Sequence, residues 1–162
     1  MTKTLVFAII AITAALIFYT IGVLSERKQG TLTKKHLLLF WLGLVCDTTG
    51  TSLMAQIAAK DPNLITSSGI NLHALTGGAA ILLMLFHAIW ASYVIIKGTQ
   101  KAKEKFHKFS AFVWTFWLIP YICGVFIGTP NIPLGNAQAF VVSIAIATCI
   151  GFILKKSDSL VK

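Results

Sequence analysis

The sequence predicts an all-α integral membrane bundle of about five transmembrane helices, and three observations carry that expectation. The 162 residues are 56% hydrophobic and only 12% charged, with a mean hydropathy of +0.80, too little charge to cover a soluble domain. Five stretches each hold roughly the ~20 predominantly apolar residues that a helix needs to cross the hydrocarbon. The lysines and arginines concentrate in alternate connections between these stretches, as they do when they report membrane orientation.

The first stretch, Thr4–Leu24, has Lys3 ahead of it and Glu26-Arg27-Lys28 after it. It is longer than the ~7–15 apolar residues of a secretory h-region and no small-x-small cleavage site follows, so it reads as a retained span. The second, His36–Ala59, is the weakest, because Asp47-Thr48-Thr49-Gly50-Thr51-Ser52 interrupts it. A turn containing Asp61-Pro62-Asn63 and Ser67-Ser68-Gly69 leads to the third, Asn71–Ile96. A lysine-rich link, Lys97–Lys108, precedes the fourth, Phe109–Gly128, which Pro120 should bend near its middle. The fifth, Ala137–Leu154, is short and rich in small residues and follows an uncharged Pro/Gly/Asn turn. These spans use nearly the whole chain, so residues 1–162 read as a single helical domain without an internal repeat.

Orientation follows from charge. Arg27, Lys28, Lys34, Lys35, Lys97, Lys101, Lys103, Lys105, Lys108, Lys155, Lys156 and Lys162 fall on one side, against Lys3 and Lys60 on the other. This predicts the N-terminus outside and the C-terminus in the cytoplasm, with the protein in a bacterial-type cytoplasmic membrane. The net charge of +9 then reflects topology and contact with anionic lipid, not a nucleic-acid partner. Cys46, Cys123 and Cys149 all lie in apolar stretches without CxxC spacing, which implies neither a disulfide framework nor a zinc site.

Polar groups at membrane depth are the candidate functional residues, because an unpaired charge there costs several kcal/mol. Counting ~1.5 Å per helical residue, Asp47 lies ~16 Å in from His36, and His87 lies ~15 Å in from Lys97 on the same side. Asp47 and His87 are therefore expected at one depth, as a proton-carrying or ligand-orienting pair or as a structural hydrogen bond. Thr49 and its hydroxyl neighbours are further members of the set.

His73 and His87 are fourteen residues apart on the third span, which leaves them ~40° apart in azimuth and ~21 Å apart along the axis. One helix offers axial ligands to stacked haems at such a spacing, and a neutral imidazole suits iron. His36 and His107 each begin a span at the cytoplasmic edge, as second ligands or as interfacial basic residues. Neither sits naturally opposite His73 or His87 by depth. Trp114, Trp117 and Tyr121 form an i, i+3, i+7 stripe on the fourth span that either walls a flat cofactor or packs against neighbouring helices.

The segments LGLVCDTTGTSLM, NLHALTGGAAILLMLFHAIWASYV and FHKFSAFVWTFWLIPYICG together resemble the HsmA family of small bacterial multi-span membrane proteins. The family-like positions are Asp47, Thr49, Gly50, His73, Gly77, His87, Trp90, His107, Pro120 and Tyr121. The resemblance implies a family label and a membrane bundle, and no particular chemistry. A looser resemblance, carried by His73–Gly77, His87 and His107, is to haem-b membrane proteins.

Three functions are compatible with these residues. The first is b-type haem binding or a redox role, with His73, His87, His107 and His36 as candidate ligands to haem or metal. Asp47, Thr49 and Tyr121 would then orient a ligand or relay a proton, with a quinone or redox protein as partner. The second is transport of a proton, ion or small solute using Asp47 and His87. The third is a non-catalytic membrane partner or sensor. No nucleophile elbow, phosphate loop or paired-carboxylate site is present, which argues against soluble-type hydrolysis or nucleotide chemistry.

Overall fold

The computed structural model describes residues 2–60, 72–129, 132 and 134–160. It is all-α, with helices α1 (Lys3–Gln29), α2 (Lys34–Lys60), α3 (Leu72–Lys97), α4 (Gln100–Gly128) and α5 (Asn136–Leu160). All five are long and apolar enough to cross a membrane. The turn expected around Asp61-Pro62-Asn63 and Ser67-Ser68-Gly69 lies outside the described residues.

One sequence expectation is corrected, and the weakest of the expected spans holds. The polar run after Asp47 does not interrupt α2. Thr48 Oγ1 donates to the Leu44 carbonyl at 2.8 Å and Thr49 Oγ1 to the Val45 carbonyl at 2.7 Å, so these hydroxyls are satisfied inside their own helix. The lysine-rich link is mostly helix, with only Gly98 and Thr99 separating α3 from α4. Thr99 starts α4 as an N-cap, its Oγ1 accepting the Ala102 N–H at 3.2 Å.

The chain forms two compact units, Met1–Ile70 with Ala88–His107, and Asn71–His87 with Lys108–Lys162. In the first, α1 and α2 make an antiparallel hairpin. Gly30 closes α1 at φ 69°, its N–H reaching the Glu26 carbonyl at 3.0 Å, a left-handed position that favours glycine. Buried residues then recur at three- and four-residue steps, the pattern of a coiled-coil seam. They are Ala15, Tyr19, Gly22 and Glu26 on α1, and His36, Phe40, Gly43, Asp47 and Gly50 on α2.

Three layers of that seam set a glycine against a large residue. A Cβ added to Gly22 would come within 2.7 Å of Phe40, one on Gly43 within 2.5 Å of Tyr19, and one on Gly50 within 2.5 Å of Ile12. Small residues let the two backbones approach closely, which is how apolar helices gain packing energy in lipid. Continued in both directions, the same register assigns Asp47 to the layer of Ala15, and His36 to the layer of Glu26. Elsewhere in this unit, Leu32 N–H donates to the Lys103 carbonyl at 3.1 Å, and Trp41 Nε1–H donates to Ser92 Oγ at 3.1 Å.

In the second unit, the N-terminal part of α3 packs antiparallel to α4. His87 meets Ser110, and Gly124 meets His73; both helices advance by fourteen residues between the two contacts, so the register is constant. Phe86 and Phe109 add an edge-to-face contact at 6.1 Å. α5 packs on α4 where a Cβ on Gly151 would come within 2.9 Å of Thr115, and where Cys123 lies near Ser143.

Candidate functional site

Asp47 and His87, the ionisable residues expected at mid-membrane depth, are both buried, at 4% and 1% exposure. Asp47 belongs to the first unit and His87 to the second, and each has a hydroxyl neighbour from an adjoining helix of its own unit. Asp47 projects from α2 into the seam, where its carboxyl interacts electrostatically with the buried Tyr19 phenol. The small Ala15 and Gly43 leave room for this pair, since Gly43 packs directly on the Tyr19 ring. In the second unit, His87 Nε2 lies 2.9 Å from Ser110 Oγ, and its ring sits 5.7 Å from that of Phe109. Ser110 is itself fully buried.

These are the chemical elements of proton exchange. A carboxyl beside a phenol, and an imidazole beside a serine hydroxyl, each hold a group that gains or loses a proton against a group that can donate or accept a hydrogen bond. Neither hydroxyl was singled out from sequence. Tyr19 could have been found from the seven-residue spacing of Ala8, Ala15 and Gly22 against that of Gly43 and Gly50, which predicts the seam and its partners. Ser110 is a lone hydroxyl in an apolar stretch, and its partner becomes visible only once the α3–α4 register is known.

His73 is tied to α4. Its ring hydrogen bonds with the backbone of Pro120. Proline has no N–H, so the imidazole donates to the Pro120 carbonyl. Gly124 packs against the same ring: a Cβ there would sit 2.8 Å from its Cε1. His73 and His87 therefore use one side of α3, the side that meets α4.

The other two histidines serve local backbone. His36 is the third residue of α2, and its Nδ1 accepts the Thr33 N–H at 3.1 Å. This is the returning half of a capping box, with imidazole where glutamate or glutamine is usual. The bond requires a bare Nδ1, so the neutral ring carries its proton on Nε2, which is buried without a hydrogen-bond partner among the described residues. His107, near the start of α4, donates from Nδ1 to the Glu104 carbonyl at 2.6 Å.

Thr49 is exposed and bonded to its own helix. Tyr121 is half-buried and stacked on Trp117 of the same helix at 5.3 Å. Among the described residues, no group of three or more His, Cys, Asp or Glu side chains is placed to hold a metal ion. No protein-family model, no curated protein and no solved structure matches this chain.

Proposed function

We infer that this protein carries protons, alone or with a small solute, across a bacterial-type cytoplasmic membrane, and that Asp47 and His87 are its titrating groups. One observation supports this above the rest. The two ionisable side chains expected at mid-membrane depth are both buried, and each is matched with a hydroxyl, Tyr19 for Asp47 and Ser110 for His87. Ionisable residues inside a membrane are costly to keep and mark ion pathways and proton relays. The lysine distribution supports an N-terminus outside and a C-terminus inside, and the resemblance to the HsmA family is compatible with the same reading.

The test is proton flux into liposomes that contain the purified protein and a pH-sensitive dye, driven by a potassium diffusion potential. Acidification faster than in protein-free liposomes supports the reading. Rates equal to those of protein-free liposomes overturn proton carriage by the protein alone.

A second reading, b-type haem ligation, rests on His73 and His87 sharing one side of α3, with His107 or His36 as further ligands. Each imidazole already has one nitrogen engaged, so axial ligation would fall to Nδ1 or require those bonds to break. His87 Nε2 is engaged with Ser110, His73 with the Pro120 carbonyl, and Gly124 closes on the His73 ring. An absorption spectrum of protein purified from haem-replete cells separates the readings: a Soret band lost on His87→Ala favours haem, and a colourless preparation favours the proton reading.

A further inference from the structure

The α1–α2 hairpin has a second feature that the proton reading does not use. Beside the seam, an open groove of about 550 Å³ runs between the two helices, bordered by Phe7, Ile10, Ala11, Ala14, Cys46 and Leu53. That volume is within the range of sites that hold one small ligand. Its walls are almost wholly apolar. Phe7 and Ile10 stand well exposed as its rim on α1, and the small Ala11 and Ala14 leave the space between them. The one charged residue in its lining, Lys3, lies at the end nearest the α1 N-terminus, next to Thr4.

An apolar channel with a single cation at one end is complementary to an amphiphile with an anionic head and a hydrocarbon chain. From Lys3 to Ala14 the helix rises ~16 Å, about half the ~30 Å hydrocarbon thickness of a bilayer. A chain lying there would therefore occupy one leaflet, with its head at the membrane surface beside Lys3. Each CH₂ group taken into an apolar groove gains little over lipid itself, so selectivity must come from the head. A lysine near a membrane surface contributes roughly a fivefold preference for anionic lipid.

We propose that the groove between α1 and α2 is a binding site for one acyl chain of an anionic phospholipid, with Lys3 pairing to its phosphate. The lipid is specific to this groove, in contrast to the sequence-independent shell of lipid that surrounds any span. The groove's inner end, at Ala14 and Cys46, lies next to the layer that holds Asp47.

The full chain is reconstituted in nanodiscs of equal phosphatidylglycerol and phosphatidylcholine, released, and weighed by native mass spectrometry. The wild type should retain one phosphatidylglycerol in roughly fivefold excess over phosphatidylcholine. Lys3→Gln should abolish the preference, and Ala14→Phe, which fills the groove, should abolish retention of both lipids. A phosphatidylglycerol carrying a photoreactive chain, applied to the wild type, keeps the test independent of whether Ala14→Phe folds. Its adducts should concentrate on Phe7, Ile10 and Leu53. Equal retention of the two lipids by the wild type, or adducts spread as densely over α3 and α5, would overturn the proposal.

Discussion

At the residue scale, the buried polar groups are held by packing that leaves little tolerance. Gly43 lies against the Tyr19 ring closely enough that a Cβ would sit 2.5 Å away. Gly43→Val therefore forces Tyr19 out of its place beside Asp47 and should cost about 1–3 kcal/mol, the usual range for an overfilled core, read as a lower melting temperature in detergent. The His87–Ser110 bond is a weaker device. Interhelical hydrogen bonds of this kind contribute about 0.6 kcal/mol on average within a bundle, so Ser110→Ala should melt only slightly earlier while slowing proton flux severalfold. A large loss of stability without a change in flux would assign Ser110 to structure alone. Asp47 and His87 were both legible from sequence as polar residues within long apolar stretches, and both are buried. Their hydroxyl neighbours were not, because a neighbour depends on helix register, and register is set by glycine and alanine contacts that no single residue announces.

At the scale of elements, the helices are punctuated by caps more than by composition. Thr33 and His36 form the start of α2, Thr99 starts α4, and Gln138 accepts the Gly135 N–H at 3.0 Å ahead of α5. Losing an N-cap costs about 1 kcal/mol, so Thr99→Ala should raise amide hydrogen exchange in the first turn of α4 and leave α5 unchanged. Uniform exchange across both helices would contradict that assignment. This is also where hydropathy misled most. The stretch from Lys97 to Lys108 reads as a link because its lysines are not apolar, yet a helix outside the hydrocarbon needs no apolar residues, only a start signal. Thr99 followed by good helix formers supplies one. In α2, hydroxyls bonded back to Leu44 and Val45 let a polar run stay helical, as the expected span required.

At the scale of the whole molecule, five helices were legible because each is a long apolar stretch, and hydropathy reports that directly. The expected orientation is checked by accessibility. Cysteines introduced at Lys28 and Lys101 in a chain whose native cysteines are replaced should react with an impermeant maleimide only after the membrane is opened. One introduced at Lys60 should react in intact right-side-out vesicles. The reverse pattern would invert the bundle.

The central claim is that buried Asp47 and His87 carry protons, and a comparison of variants at equal incorporation tests it most directly. Liposomes containing wild type, Asp47→Asn or His87→Ala are given the same potassium diffusion potential, and internal pH is followed by dye. The account predicts rapid acidification with the wild type and rates near those of protein-free liposomes with either variant, each verified as folded by its helical circular dichroism. Wild-type rates in both folded variants would contradict it.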